Sequence, residues 1–335
     1  MNKMLTVEDL TISFRTDEGV ITPVQKVSFE VEAGKTLGLV GESGSGKSVS
    51  TKALMRLLPG SAVLDRASRM RYRAKDGREI DIENVRSTRA LRRLRGGEIG
   101  MIFQEPMASF SPVYSIGNQM MEAIRLHRGL RGRAARALAI EMLDKVGISN
   151  PTARIDQFPH EMSGGMRQRA MIALALSAGP NLLIADEPTT ALDVTIQAQV
   201  LDLMRSLQDE LGMGMIFITH DLGVIAQIAD EIAVMYLGTI VEKGPTREVI
   251  RNPMHPYTVG LLEAIPSLDR LEARLKPVPG DIPSPSERPS GCAFHPRCIQ
   301  AVSGLCDVQA PPERAPRAGR AVSCWLHAEE GRTAA

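Results

Sequence analysis

The segment Gly41-Glu42-Ser43-Gly44-Ser45-Gly46-Lys47-Ser48 constrains this chain more than any other. It fits the pattern G-x-x-x-x-G-K-[ST] at every fixed position, between an apolar run at 36–40 and helical periodicity at 49–58. A strand, a glycine-rich loop and a helix in that order commit a chain to an α/β layer with the loop at a strand's carboxyl end. Glycines let successive N–H groups curl around phosphate oxygens, and the following helix adds its positive end. The pattern implies that Lys47 reaches the β- and γ-phosphates of a nucleotide and that the Ser48 hydroxyl ligates Mg²⁺.

Short apolar runs at 35–40, 182–185 and 215–218 read as buried strands. Residues 5–13 and 27–31 alternate in the strand manner, and 69–80 reads as a hairpin turning on Asp76-Gly77. Helical spacing recurs at 134–146, 165–177 and 196–211. Strands alternating with helices imply a mostly parallel sheet covered on both faces. Leu182-Leu-Ile-Ala-Asp186-Glu187 then delivers two carboxylates to a strand end. Asp186 suits an Mg²⁺ ion, reached through water, and Glu187 suits the task of orienting and deprotonating an attacking water. Two adjacent carboxylates repel, so a cation between them and the nucleotide is nearly demanded.

Composition narrows the partners. Lysine and arginine number 40 against 39 acids, a net charge of +1, and aromatics make up 4% of the 335 residues. Neither figure fits a nucleic-acid binder, which needs a basic excess or stacking platforms. Residues 66–95 are locally basic, with eleven cations against four acids, and read as a solvated surface. No run approaches 18 apolar residues, and Met1–Leu10 carries Lys3, Glu8 and Asp9 in place of a signal peptide's apolar core. The chain is therefore expected on the cytosolic side, where four cysteines are not two disulfides.

Of 21 prolines, 8 precede residue 245 and 13 lie from Pro245 onward. The expected division is 1–245 as one nucleotide-handling domain, with no internal repeat, and 246–335 as an irregular extension. All four cysteines fall in that extension at C-x5-C-x7-C-x17-C: Cys292, Cys298, Cys306 and Cys324. Four thiolates could hold zinc or an iron–sulfur cluster, although paired C-x2-C knuckles are lacking. Unligated reduced thiols also fit these residues.

Taken together, the motifs resemble the nucleotide-binding subunits of ABC transporters, over essentially the whole chain. Met162-Ser163-Gly164-Gly165-Met166-Arg167-Gln168 resembles that family's signature motif. Gln104 in Phe103-Gln104-Glu105-Pro106 resembles the Q-loop, Thr190-Ala191-Leu192-Asp193 the D-loop, and His220 the switch histidine. Met162 and Met166 stand where many members have Leu and Gln, a form similar to peptide-importer subunits. The resemblance implies a P-loop ATPase with a mostly parallel core sheet, an antiparallel β subdomain, a helical signature subdomain at roughly 105–178, and the cysteine-containing extension. It also implies two such subunits sandwiching ATP between the cradle of one (Gly41 to Ser48) and the signature of the other, with Ser163, Gly164 and Gly165 at a second helix start, and Asp193 of the D-loop as a further ATP-binding residue. Gln104 is then expected to sense Mg²⁺, His220 to bond the γ-phosphate or the lytic water, and Phe14, near the end of the first strand, to stack on adenine.

His255-Pro256-Tyr257-Thr258 and the cysteine segment resemble the extension of oligopeptide and dipeptide importers, a group shared with nickel and glutathione importers. The resemblance implies a [4Fe-4S] cluster on the four cysteines, with Zn²⁺ as the alternative and His295 as a substitute ligand. The implied partners are a second, related ATPase chain, two transmembrane permease subunits and, indirectly, an extracytoplasmic peptide-binding protein. The implied location is the cytoplasmic face of the inner membrane. A DNA- or ribosome-directed ATPase of the same family fits less well. Only 58 residues separate Gln104 from Ser163, with no coiled-coil heptads, and only one ATPase unit is present.

Overall fold

The computed structural model of the chain describes residues 3–17, 19–104, 109–190, 192–265 and 278–327. Glu105 and Pro106 of the Q-loop segment, Ala191 of the D-loop segment and Pro266 lie outside the described residues. The chain divides into two compact units assembled from separated stretches. The first takes residues 1–5, 31–36 and 71–218, the second 6–30, 37–70 and 219–335.

In the first unit, strands β7 (Ile99–Ile102), β8 (Leu182–Asp186) and β9 (Gly214–Thr219) run parallel, with Ile99 opposite Leu182 and Leu182 opposite Gly214. Every residue of the three strands is buried, which is why they read as unbroken apolar runs. The helices Ile116–Arg128, Gly132–Lys145 and Gly164–Ser177 pack on one another through Ile116, Met120, Ile124, Ala135, Ala139, Ala170 and their neighbours. Gly117 permits the close approach there: a Cβ at this position would lie 2.5 Å from the Ile155 side chain. Strands β5 (Arg69–Arg73) and β6 (Glu79–Asp81) form the expected hairpin, with Tyr72 opposite Ile80. Arg69, Arg71 and Arg73 lie on its exposed face while Met70 and Tyr72 are buried, so the basic run is a surface feature.

In the second unit, β3 (Thr36–Val40) contributes Leu37–Val40, which pair in parallel with β10 (Glu231–Tyr236). Strand β10 turns back antiparallel on β11 (Thr239–Pro245). Strand β11 pairs in turn with β13 (Arg320–Val322), itself hairpinned to β12 (Arg314–Arg317). The extension thus carries two short helices, Thr246–Arg251 and Pro256–Glu263, and later returns a strand to the sheet. Its anchor is Glu242, wholly buried, which pairs with Arg320 and accepts from the Met254 and His255 amides, both at 2.9 Å. A buried carboxylate is tolerable only with such complete pairing. Strand β1 (Lys3–Thr16) pairs antiparallel with β4 (Ala62–Leu64), placing Phe14 opposite Ala62.

One boundary differs from the sequence expectation. The helix after the glycine-rich loop spans Lys47–Leu54 and stops short of residue 58. Leu58 precedes Pro59, whose ring disfavours helical backbone before it, and Arg56 has already turned into the left-handed region at φ 53°. Among the described residues no helix is long and apolar enough to cross a membrane.

Candidate functional site

The phosphate cradle is built from backbone. A Cβ on Gly41 would lie 2.1 Å from the Met235 carbonyl oxygen, and one on Gly46 would lie 2.5 Å from the Pro23 carbonyl oxygen, at φ 97°. No other residue fits either position. The Gly238 amide donates to the Ser45 carbonyl (3.0 Å), and the Gln25 amide donates to the Gly238 carbonyl (2.8 Å), so the turn at Gly238, itself tied to the strand Gly19–Glu32, braces the cradle. Lys47 is 5% exposed. Its ammonium donates to the carbonyls of Gly41 (2.6 Å) and Glu42 (2.9 Å) and to Ser45 Oγ (3.2 Å). Ser43 and Gly44 are exposed and Ser48 is half-buried at the helix start.

Glu42 has partners that sequence reasoning did not find. Its amide donates to the Tyr257 hydroxyl oxygen (2.9 Å), and its carboxylate receives both terminal nitrogens of Arg297 (2.7 and 3.1 Å). Arg297 stands between two of the predicted metal ligands, Cys292 and Cys298. Arginine among the cysteines was the available signal, but spacing alone does not say which carboxylate it meets.

In the first unit, Asp186 ends β8 and is 3% exposed. Glu187 follows at φ 48°, left-handed backbone that costs a residue with a Cβ about 1–2 kcal/mol. Several bonds hold it there. Its amide donates to the Ile218 carbonyl (3.0 Å), and its Oε2 accepts from Gln104 Nε2 (3.2 Å) and from the Thr190 hydroxyl (2.9 Å). The fold thus joins Gln104 and Glu187, which the sequence presents 83 positions apart. Sequence reasoning does not single out Thr190 as a partner of Glu187; its place three residues after the glutamate is the only hint. His220 follows β9 and is exposed, while its neighbour Asp221 accepts from the Gly223 (2.7 Å) and Val224 (3.3 Å) amides to cap the helix Leu222–Ile228.

Ser163 is the N-cap of the helix Gly164–Ser177, its hydroxyl accepting from the Met166 amide at 3.3 Å. Ser163 and Gly164 are exposed, and nothing lies within 4 Å of where a Gly164 Cβ would stand. The first amides of a helix have no partner within it, so this turn presents donors outward. Gln168, buried in the same helix, donates to the Pro188 carbonyl next to Glu187. Asp193 is likewise an exposed N-cap, accepting from the Ile196 amide (2.9 Å) ahead of the helix Val194–Leu211. Phe14 is half-buried, two residues before the end of β1.

Cys292, Cys298, Cys306 and Cys324 line one small cavity, together with His255 and His295. All four are free thiols. Burial pushes the Cys292 and Cys298 thiols up, and pushes Cys324 up to about 11, with the other three sulfurs adding repulsion. Among the described residues no group of three or more His, Cys, Asp and Glu side chains is already arranged around a metal position. The donor set is right in kind for a soft metal or cluster.

The ABC transporter family pattern matches residues 24–190, and that of the oligopeptide/dipeptide transporter C-terminal region matches 241–306. A peptide import ATP-binding protein of Brucella abortus is 52% identical over 315 residues, covering 92% of this chain and 93% of that one. A second from the same organism is 49% identical over 325 residues, covering 96% and 94%. Among solved structures, the cbiO1 subunit of the cbiONQ ABC transporter complex from Clostridium perfringens superposes with a TM-score of 0.62 at 25% identity, covering 75% of this chain and 92% of that one. A dimeric ATP-binding cassette in a post-hydrolysis state, bound to ADP and Pi, superposes with a TM-score of 0.63 at 25% identity, covering 73% and 99%. With the cradle, the carboxylate strand and the capped signature helix in family order, this chain belongs to the ABC transporter family as an ATP-binding subunit of the peptide-import class.

Proposed function

We propose that the chain hydrolyses ATP to drive uptake of dipeptides or oligopeptides through a membrane permease, working as a pair of cassettes. The observation that supports hydrolysis best is Glu187, held in left-handed backbone with Gln104 and Thr190 on its carboxylate. Backbone strain kept by surrounding bonds is a mark of a working residue. In this reading Gly41 to Ser48 hold the phosphates, and Phe14 stacks on adenine. Ser48, Gln104 and Asp186 hold Mg²⁺, which neutralises charge developing on the phosphates. Glu187 takes the proton of the attacking water, and His220 orients that water or the γ-phosphate. Ser163, Gly164, Gly165 and Asp193 act on nucleotide held by the second subunit, a reading supported by the exposure of Ser163, Gly164 and Asp193.

The second cassette is a related chain, and the pair docks on two permease subunits at the cytoplasmic face of the inner membrane, served by an extracytoplasmic peptide-binding protein. Copurification of the permease from detergent-solubilised membranes, with ATP-dependent peptide uptake by the reconstituted complex, tests the proposal. Nucleotide contacted by one subunit alone throughout the cycle overturns it.

The four cysteines hold a [4Fe-4S] cluster in this reading, supported by four thiols on one cavity. Such a cluster supplies thiolate cross-links that pin an extension poor in core of its own. Anaerobic purification tests it: brown protein absorbing at roughly 400 nm with about four irons supports the cluster. Colourless protein with stoichiometric zinc assigns zinc instead.

A further inference from the structure

The second position of the cradle is a glutamate, and a carboxylate beside a loop built to hold a triphosphate is electrostatically adverse. The extension resolves the conflict. Arg297 is 4% exposed in its side chain and clasps the Glu42 carboxylate with both terminal nitrogens (2.7 and 3.1 Å). Its Nε donates to the Pro279 carbonyl at 2.8 Å, which fixes the plane of the fork. The Arg297 guanidinium lies 5.7 Å from the centre of the Tyr236 ring, and Tyr236, Tyr257 and Phe294 pack against one another in tilted and edge-on contacts with centroids 4.8–5.3 Å apart. Tyr257 closes the arrangement by accepting the Glu42 amide at 2.9 Å. The His255 imidazole, held neutral by burial, accepts the Tyr257 amide at 3.1 Å.

We propose that Arg297 and Tyr257 are positioning residues of the ATP site: they neutralise Glu42, draw its carboxylate away from the phosphates and anchor the first corner of the loop. The extension is then part of the nucleotide site and sets its affinity. This inference rests on the ATP-binding reading and leaves the metal at the cysteines open. Charge complementarity and geometry carry it. A bidentate pair made by a buried arginine fixes both charge and orientation, which a lysine or a single hydrogen bond does not.

The test is equilibrium binding of MgATP to the full-length chain by titration calorimetry, with near-UV circular dichroism to verify folding. Arg297→Ala leaves the Glu42 charge unpaired and is expected to weaken binding about tenfold. Glu42→Gln alone is expected to stay within about threefold of the wild type. The double variant Glu42→Gln/Arg297→Ala is expected to recover most of the loss. A merely structural Arg297 predicts no such rescue, because the double variant then binds as poorly as Arg297→Ala. Arg297→Lys is expected to fall between, and Tyr257→Phe, which keeps the ring, to weaken binding about threefold. If Arg297→Ala does not fold, Arg297→Lys and Tyr257→Phe decide the matter. Wild-type affinity in the folded variants, or absence of rescue, overturns the inference. Equal affinity of wild type and Lys47→Ala would instead overturn the ATP-site reading beneath it.

Discussion

Two helix starts in this molecule are proposed to meet phosphate, and they are built in opposite ways. The helix after the cradle begins at a glycine in left-handed backbone with no side-chain cap, and Ser45 and Lys47 beside it are buried. Its lysine is folded onto carbonyls of its own loop. The signature helix begins at an exposed serine that caps it, with open space around Gly164. The first is a site walled by its own unit, from β10 and from Pro23 in the strand Gly19–Glu32. Among the described residues nothing stands within 4 Å of a Gly164 Cβ, so the second start is open at that point and leaves room for a surface brought from elsewhere. That contrast is what a nucleotide shared between two polypeptides requires.

The comparison can be broken at four points. Glu187→Gln is expected to lower ATP turnover about a thousandfold while retaining nucleotide, with the chain accumulating as an ATP-bound dimer on gel filtration. Full turnover would remove Glu187 from its role. Lys47→Ala is expected to weaken ATP binding to the separate chain about a hundredfold, since the γ-phosphate loses a buried point charge. Gly164→Leu probes the other helix start. The separate chain should bind ATP within about twofold of the wild type, because the space at that position is open, yet turnover should fall at least about tenfold as the paired surface no longer fits. Weakened binding in the lone subunit would erase the distinction between the two starts. Ser163→Ala gives the smallest effect, a loss of about 1 kcal/mol in unfolding free energy by denaturant titration, the worth of an N-cap.

The parts legible in the sequence are those whose chemistry is local. The run Thr36–Val40 followed by the glycine-rich loop carries strand, loop and helix in adjacent residues, and the buried strands Leu182–Asp186 and Gly214–Thr219 declare themselves by unbroken apolar character. The hairpin at Asp76-Gly77 is visible because Gly77 sits at φ 82° in a turn its dipeptide prefers. Short amphipathic pieces escaped notice. The helices Leu222–Ile228 and Pro256–Glu263 span two turns each, too few for periodicity to register. The helix Ile116–Arg128 carries ordinary start and stop signals, Ser115 capping its first turn and Gly129 in left-handed backbone at its end.

Residue chemistry at fixed spacing nominates the groups proposed to meet phosphate, the carboxylate proposed to attend water and the thiols proposed to hold metal, because such assignments draw on neighbours a few positions away. Three decisions belonged to the fold. Gln104 and Thr190 meet on Glu187, β13 pairs with β11 around the buried Glu242–Arg320 pair, and Arg297 reaches back to Glu42. The last two bring residues 78 and 255 positions apart into contact. A charged side chain can find its partner anywhere along a chain, and only packing that excludes water determines which partner that is.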